Sequence, residues 1–343
     1  MRGPTRRPDS SGDRGFDMRE LIITNGDAAA GRLREARIGD EVLPWHDILY
    51  EGPLPLTESI GELSEIRIEY LGCAYPEPGR SVRAQFEARD ARLAAHGSFD
   101  RVTLWFEHDL CDQLQLIQIV SWFSTETREP GSLMLVQADD YLGARDPRSI
   151  KRFQSQAVEI EAEHFKRAND AWFALCQDSP ELWAQLVKRD LTIFPHLPAA
   201  VLRMLEELPD LNGLSRSETA VLDRVAGGTT RALDLFVQLC VMDTIIDFMG
   251  DWSFYRIIDR LAFGATPLLS GLRRGPFRPA MPPEERQDYF QSELSLTPLG
   301  EAILAGGDDY ARHAQIDRWW GGTLLTNDNL WRWDAENCRL IAP

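Results

Sequence analysis

Residues 101–123 read RVTLWFEHDLCDQLQLIQIVSWF. RVTLWF (101–106) is a short run of β-branched, aliphatic and aromatic residues and reads as a buried strand; DQLQLIQIVSWF (112–123) reads as a helix. Between them lie Glu107, His108, Asp109 and Asp112. The same alternation repeats on both sides. ELIITN (20–25) reads as a strand ended by Gly26-Asp27, and AAAGRLREAR (28–37) as a helix. EVLPW (41–45) is a strand with Pro44 near its end, ELSEIRIEYL and SVRAQFEARDARLAAHG are helices, the latter stopped by Gly97, and SLMLVQA (132–138) is a fourth strand. Strands alternating with helices imply an α/β fold, a Rossmann-like, mostly parallel sheet over residues 18–145 with helices on its faces.

Open parallel sheets bind ligands outside the carboxyl ends of their strands. The loops there are NGDAAAG (25–31), WHDILYEGP (45–53), EHDLCD (107–112) and DDYLG (139–143), all polar. Asn25, Gly26, Asp27, Trp45, Asp47, Gly52 and Gln113 are therefore candidate contacts for a small polar or phosphorylated ligand, with Asp139 on the fourth loop. Small residues at the NGD helix start would let such a ligand approach unpaired backbone N–H groups. Neither a GxGxxG fingerprint nor a Gly-Lys-Ser/Thr phosphate loop is present. Asp27, Asp47, Glu107, Asp109 and Asp112 form a candidate carboxylate set for magnesium or manganese, and Asp109, Asp112 and His108 are candidates for acid–base work.

Each candidate has a structural alternative. Asn25 or Asp27 caps a helix; Asp109 at N-cap and Asp112 at N3 start one; Trp45 at a strand end is equally a core residue. Cys111 reads as a small packed residue rather than a nucleophile, and no elbow motif places a Ser or Cys beside His46 or His108.

The chain has 343 residues, 43% hydrophobic and 27% charged, enough apolar material for more than one globular unit. A net charge of −17 disfavours wholesale binding of polyanions. Five scattered cysteines without a CxxC pair suggest reduced thiols, and no apolar run is long enough to span a bilayer. Residues 1–17, MRGPTRRPDSSGDRGFD, read as a disordered tail of a cytoplasmic protein, with Met18 an alternative start of translation.

From Pro147 onward the pattern is helical: a connecting region over 146–210 and a winged-helix-like unit over 211–343. Ser215 and Glu218 form a capping box, and Gly227-Gly228 ends the helix it starts. The candidate recognition helix is 252–263, with Arg256 and Arg260, and the candidate wing is 266–297, with Arg273, Arg274 and Arg278. Asp251, Asp259, Glu284, Glu285, Asp288 and Glu293 surround those arginines, so a protein partner is the favoured reading over nucleic acid. The aromatic tail IDRWWGGTLLTNDNLWRWD reads as a hairpin with Gly321-Gly322 near its turn.

TNGDAAAG, EVLPWHDILYEGPLP, LWFEHDLCDQLQL, GLSRSE, LTPLGEAILAG and IDRWWGG…LWRWD, in that order, resemble the bacterial domain-of-unknown-function family 1835. The first three are similar to that family's amino-terminal domain and the later ones to the helical region that commonly follows it. The resemblance spans nearly all of residues 18–335. It implies a bacterial, cytoplasmic protein and carries no catalytic assignments. Three expectations follow: a ligand-binding sheet edge coupled to a helical interaction domain, a metal-assisted hydrolase or transferase, and a DNA-binding regulator.

Overall fold

The structure is a computed structural model that describes residues 18–76 and 79–343, so the tail expected over 1–17 lies outside the described residues. The alternation becomes β1 (Glu20–Asn25), α1 (Gly26–Glu35), β2 (Glu41–Trp45), α2 (Ile60–Ala74), α3 (Val82–Ala94), β3 (Arg101–Phe106), α4 (Leu110–Phe123) and β4 (Leu133–Gln137). These four strands are parallel, in the order β2-β1-β3-β4. Leu21, Ile22 and Ile23 are all fully buried, as a strand covered on both faces requires. Their side chains alternate: Leu21 and Ile23 join the core beneath α4, while Ile22 joins Ala29, Ala30 and Leu33 of α1 on the opposite face.

The chain leaves β1 toward β2 on one side and returns through α2 and α3 to β3 on the other. The connections thus diverge between β1 and β3, and the crevice at their carboxyl ends is the position where open α/β sheets take ligands. Asn25 ends β1, and Glu107 directly follows β3.

The connecting region expected to be helical over 146–210 departs from that expectation at one point. After the short α5 (Pro147–Ile150), β5 (Val158–Glu159) adds to β4 as an antiparallel edge. A two-residue strand is too short to give an alternation signal, and its shortness suits an exposed sheet edge. Then follow α6 (Ala162–Leu175), α7 (Glu181–Leu186), α8 (Leu197–Glu206), α9 (Arg216–Ala226), α10 (Ala232–Phe236), a π-helical turn over Val237–Met242, and α11 (Asp251–Phe263). β6 (Leu269–Ser270) and β7 (Ser295–Leu296) pair antiparallel around α12 (Pro283–Phe290), and α13 (Pro298–Leu304) follows. Two hairpins close the chain, β8 (Asp317–Trp320) with β9 (Thr323–Thr326), turning at Gly321-Gly322, and β10 (Arg332–Asp334) with β11 (Arg339–Ile341).

α4 lies between the sheet and helices α6 and α8, which explains a helix buried on almost every side. One hydrophobic core accordingly runs from Leu21 through α4 to Trp333. The loop after β2 is drawn into it: Tyr50 meets Phe248 edge-on at 5.0 Å, and the Gly321 N–H donates to the Tyr50 carbonyl at 2.9 Å. No helix among the described residues is long and apolar enough to cross a membrane.

Candidate functional site

Asn25 is the N-cap of α1, yet its side chain caps nothing there. Its amide instead donates to Asp112 across the β1–β3 divide, at 2.6 Å. The other oxygen of Asp112 accepts the Glu107 N–H at 2.7 Å, and Asp109, the N-cap of α4, accepts the Asp112 N–H at 3.0 Å. Glu107 in turn accepts the Leu142 N–H at 2.7 Å, and Gln113 donates to the Glu107 carbonyl at 2.7 Å. Helix start and carboxylate cluster are therefore one object. Glu107, Asp109 and Asp112 are buried and each offers an oxygen within 4.8 Å of the others.

Burial, then the neighbouring Asp109 charge, pushes the Glu107 carboxyl up to about 8. Burial raises Asp112 as well, with Glu107 adding to it, and Asp109 is raised by burial and by Asp112. Burial and then these carboxylates push the Cys111 thiol well up, so it lacks the thiolate a nucleophile needs.

The remaining metal candidates do not join this trio. Asp27 instead pairs with Arg80 at 2.6 Å and with His46 at 3.1 Å. Burial opposes its ionisation, but the His46 and Arg80 charges outweigh it and hold the carboxyl below its usual value. Asp47 is buried against Arg67, whose Nε and Nη2 reach one oxygen at 3.0 and 2.8 Å. A carboxylate matched by a buried guanidinium has no charge left for a metal ion. Asp139 is exposed on its loop.

Two ligand candidates have structural roles instead. Trp45 is fully buried, its Nε1 donates to Gln118 at 2.9 Å, and the Arg89 guanidinium lies 4.2 Å above its ring. It belongs to the core because β2 ends with its side chain on the α4 face. Trp45→Phe, which removes that donor and leaves Gln118 unsatisfied, is expected to cost about 1–3 kcal/mol in urea unfolding with no change in ligand affinity. Gly52 has φ +82°, and a Cβ there would run into the Tyr70 ring, so this glycine serves a turn. Gly26, also at positive φ, has open space where its Cβ would be. Gln113 is fully buried behind Glu107.

Asn25, His46, Asp47 and Asp109 do come together, along a cleft of about 390 Å³. Its other walls are Tyr75, Arg80 and Phe86 from the α2–α3 region and Phe248, Trp252 and Ser253 from the approach to α11. Ser253 joins the two sides, its hydroxyl 3.2 Å from that of Tyr50 and 3.0 Å from that of Tyr75, which also donates to Glu51 at 2.7 Å. Trp252 meets Tyr75 edge-on at 5.0 Å. Local sequence pattern carried no signal for this wall, since Ser253 lies 203 residues from Tyr50.

Behind Asp109 is a second cleft of about 250 Å³ that includes His108, Arg203, Glu206, Arg216 and Asp247. The His108 ring sits 4.8 Å from Tyr141 and 6.0 Å from His196, so His108 and Asn25 lie in different clefts. A larger hollow of about 550 Å³ beside α9 shares Glu206, Arg216 and Ile245 with the second cleft and is itself lined by no residue of the polar sheet loops.

The arginines named for nucleic acid are engaged within the protein. Arg256 donates to the Ala74 carbonyl, Arg260 pairs with Glu218, Arg274 with Asp288 and Arg278 with Glu285; Arg273 donates to the Gln291 carbonyl. Most of α11 between Ser253 and Leu261 is buried, while Asp251, Arg260 and Phe263 are exposed.

Comparison with protein-family models gives no match, and no curated protein matches the chain.

Proposed function

We propose that the chain binds a small polar, phosphorylated metabolite in the cleft lined by Asn25, His46 and Asp109, and that binding is transmitted to the carboxyl-terminal helices. The observation that carries this reading is the joint construction of the cleft. One wall is the carboxyl edge of the sheet, and the other is the start of α11. A ligand there touches both, which is the differential contact that coupling requires.

The chemistry of the walls supports the ligand class. Because Asn25 is turned toward Asp112, no side chain caps the first turn of α1, and backbone donors at a helix start favour an anion. Arg80, ion-paired with Asp27, borders the same cleft from the α2–α3 wall. Tyr75, Phe86 and Trp252 supply aromatic surface for a planar or apolar part. In this reading the sheet is a Rossmann-like sensing domain, the unit from α9 to α13 is a winged-helix-like module that contacts a protein partner, and the motif order assigns the chain to family 1835.

Thermal-shift screening and calorimetry with inorganic phosphate, sugar phosphates and nucleoside mono- and diphosphates test it. At least one compound should raise the melting temperature, and Trp252→Ala and His46→Ala should each weaken it about tenfold, roughly 1.4 kcal/mol. No shift across the panel at millimolar concentration, or affinity unaltered in both variants, removes the assignment.

A further inference from the structure

We infer that Glu107, Asp109 and Asp112 form a binding site for a hard divalent cation, with the Gln113 side-chain carbonyl as a neutral fourth oxygen. This goes beyond the metabolite cleft and stands independently of it. The first support is charge. Asp47 and Glu207, also buried, are each matched by an arginine, Arg67 and Arg203. Among the described residues the trio has no such ion pair, although its three members are 7%, 6% and 0% exposed. Three buried carboxylates without a basic partner either hold protons or take a positive charge from elsewhere, and a cation that displaces the protons supplies it.

The second support is an orphaned acceptor. Gln113 is fully buried, and its Nε2 is anchored at 2.7 Å on the Glu107 carbonyl, which fixes the amide beside the trio. Its Oε1 has no hydrogen-bond donor. A missing donor next to missing positive charge is the pattern an oxygen-preferring cation resolves, since amide carbonyls and carboxylates are its usual ligands.

The dimensions agree. Opposite oxygens around calcium lie about 4.6–5.2 Å apart, and around magnesium about 4.1 Å. The carboxylate oxygens here lie within 4.8 Å of one another, close enough for one hard divalent cation to be shared by all three. Asp109 borders the clefts on both sides, which gives a hydrated ion a route to the trio.

The test uses the full chain, stripped with EDTA, at pH 8, where protons compete less for carboxylate oxygens than at neutral pH. Calcium and manganese are titrated alone, by calorimetry and manganese paramagnetic resonance, without any organic ligand. One saturable site per chain is expected, with Kd below about 1 mM. Asp109→Asn, which retains the helix cap, and Glu107→Gln should each weaken it at least about tenfold; Asp139→Asn, on the exposed neighbouring loop, should not. Anomalous scattering from manganese-soaked crystals should place the ion among the three carboxylates, an answer independent of how the variants fold. No saturation at about 10 mM, or an ion located elsewhere, overturns the site. Failure of the phosphometabolite panel would leave this result standing, and the reverse also holds.

Discussion

Arg67→Met is expected to destabilise the protein by about 3–5 kcal/mol, the cost of leaving a buried charge without its partner. Arg67 is fully buried in α2 and does more than neutralise Asp47. Its guanidinium also donates to the carbonyls of Ile48 at 2.8 Å, Glu51 at 2.7 Å and Pro53 at 3.3 Å. The whole loop after β2 is thus wound around one side chain. Methionine fills much of the volume but satisfies none of these acceptors, and Asp47 Oδ2 already lacks a donor. Urea unfolding measures the loss, and Asp47→Asn in the same background should recover part of it, because a neutral amide is cheaper to bury than an unpaired carboxylate. A loss below about 1 kcal/mol would show that water replaces the guanidinium, contrary to the burial of the pair. Ligand affinity should fall as well, since the same loop carries His46 and Tyr50 into the cleft wall.

Arg67 also marks where sequence reading reaches its limit. The four parallel strands and α4 were legible because each is a compact apolar run with local stop signals, and the Asp109–Asp112 helix start follows from spacing alone. The separation of Asp27 and Asp47 from the trio was not recoverable. Their neutralising partners, Arg80 and Arg67, come from the long β2–β3 connection, and nothing in a helical pattern says which arginine turns inward. Trp45 was ambiguous for a related reason. A strand-end aromatic faces either the crevice or the core, and only the register against β1 places it under α4. Ser253, Trp252 and Phe248 were invisible as site residues because they reach the cleft through tertiary packing, and β5 because two residues carry no period.

In the absence of divalent cations, folding stability is expected to fall as the pH rises from 6.5 to 8.5, by roughly 2 kcal/mol for Glu107 alone. A carboxyl raised to about 8 in the folded state keeps its proton where the unfolded chain, near 4.5, has lost it. Its contribution is therefore complete below pH 4.5, is lost as the pH climbs through 8, and is constant above that. Asp109 and Asp112, raised by the same burial, act in the same direction. The histidines oppose this, most strongly at the lower end of the interval. His46, His164 and His196 are all lowered, chiefly by burial, so their contribution is present above about 6.5 and lost as the pH falls below it. Toward the upper end of the interval the histidines no longer contribute, and Cys111, Cys176 and Cys240, raised by burial, add a smaller decline in the same direction as the carboxyls. Urea unfolding in EDTA across it should show the decline in the wild type and a shallower one in Glu107→Gln, whose amide stays neutral at every pH. Saturating calcium should reverse the trend, because a cation stabilises the deprotonated trio and binds it more tightly as protons leave. A wild-type stability that is level from pH 6.5 to 8.5 in EDTA would mean the three carboxylates are already ionised, and their positive counterpart would then have to come from within the protein.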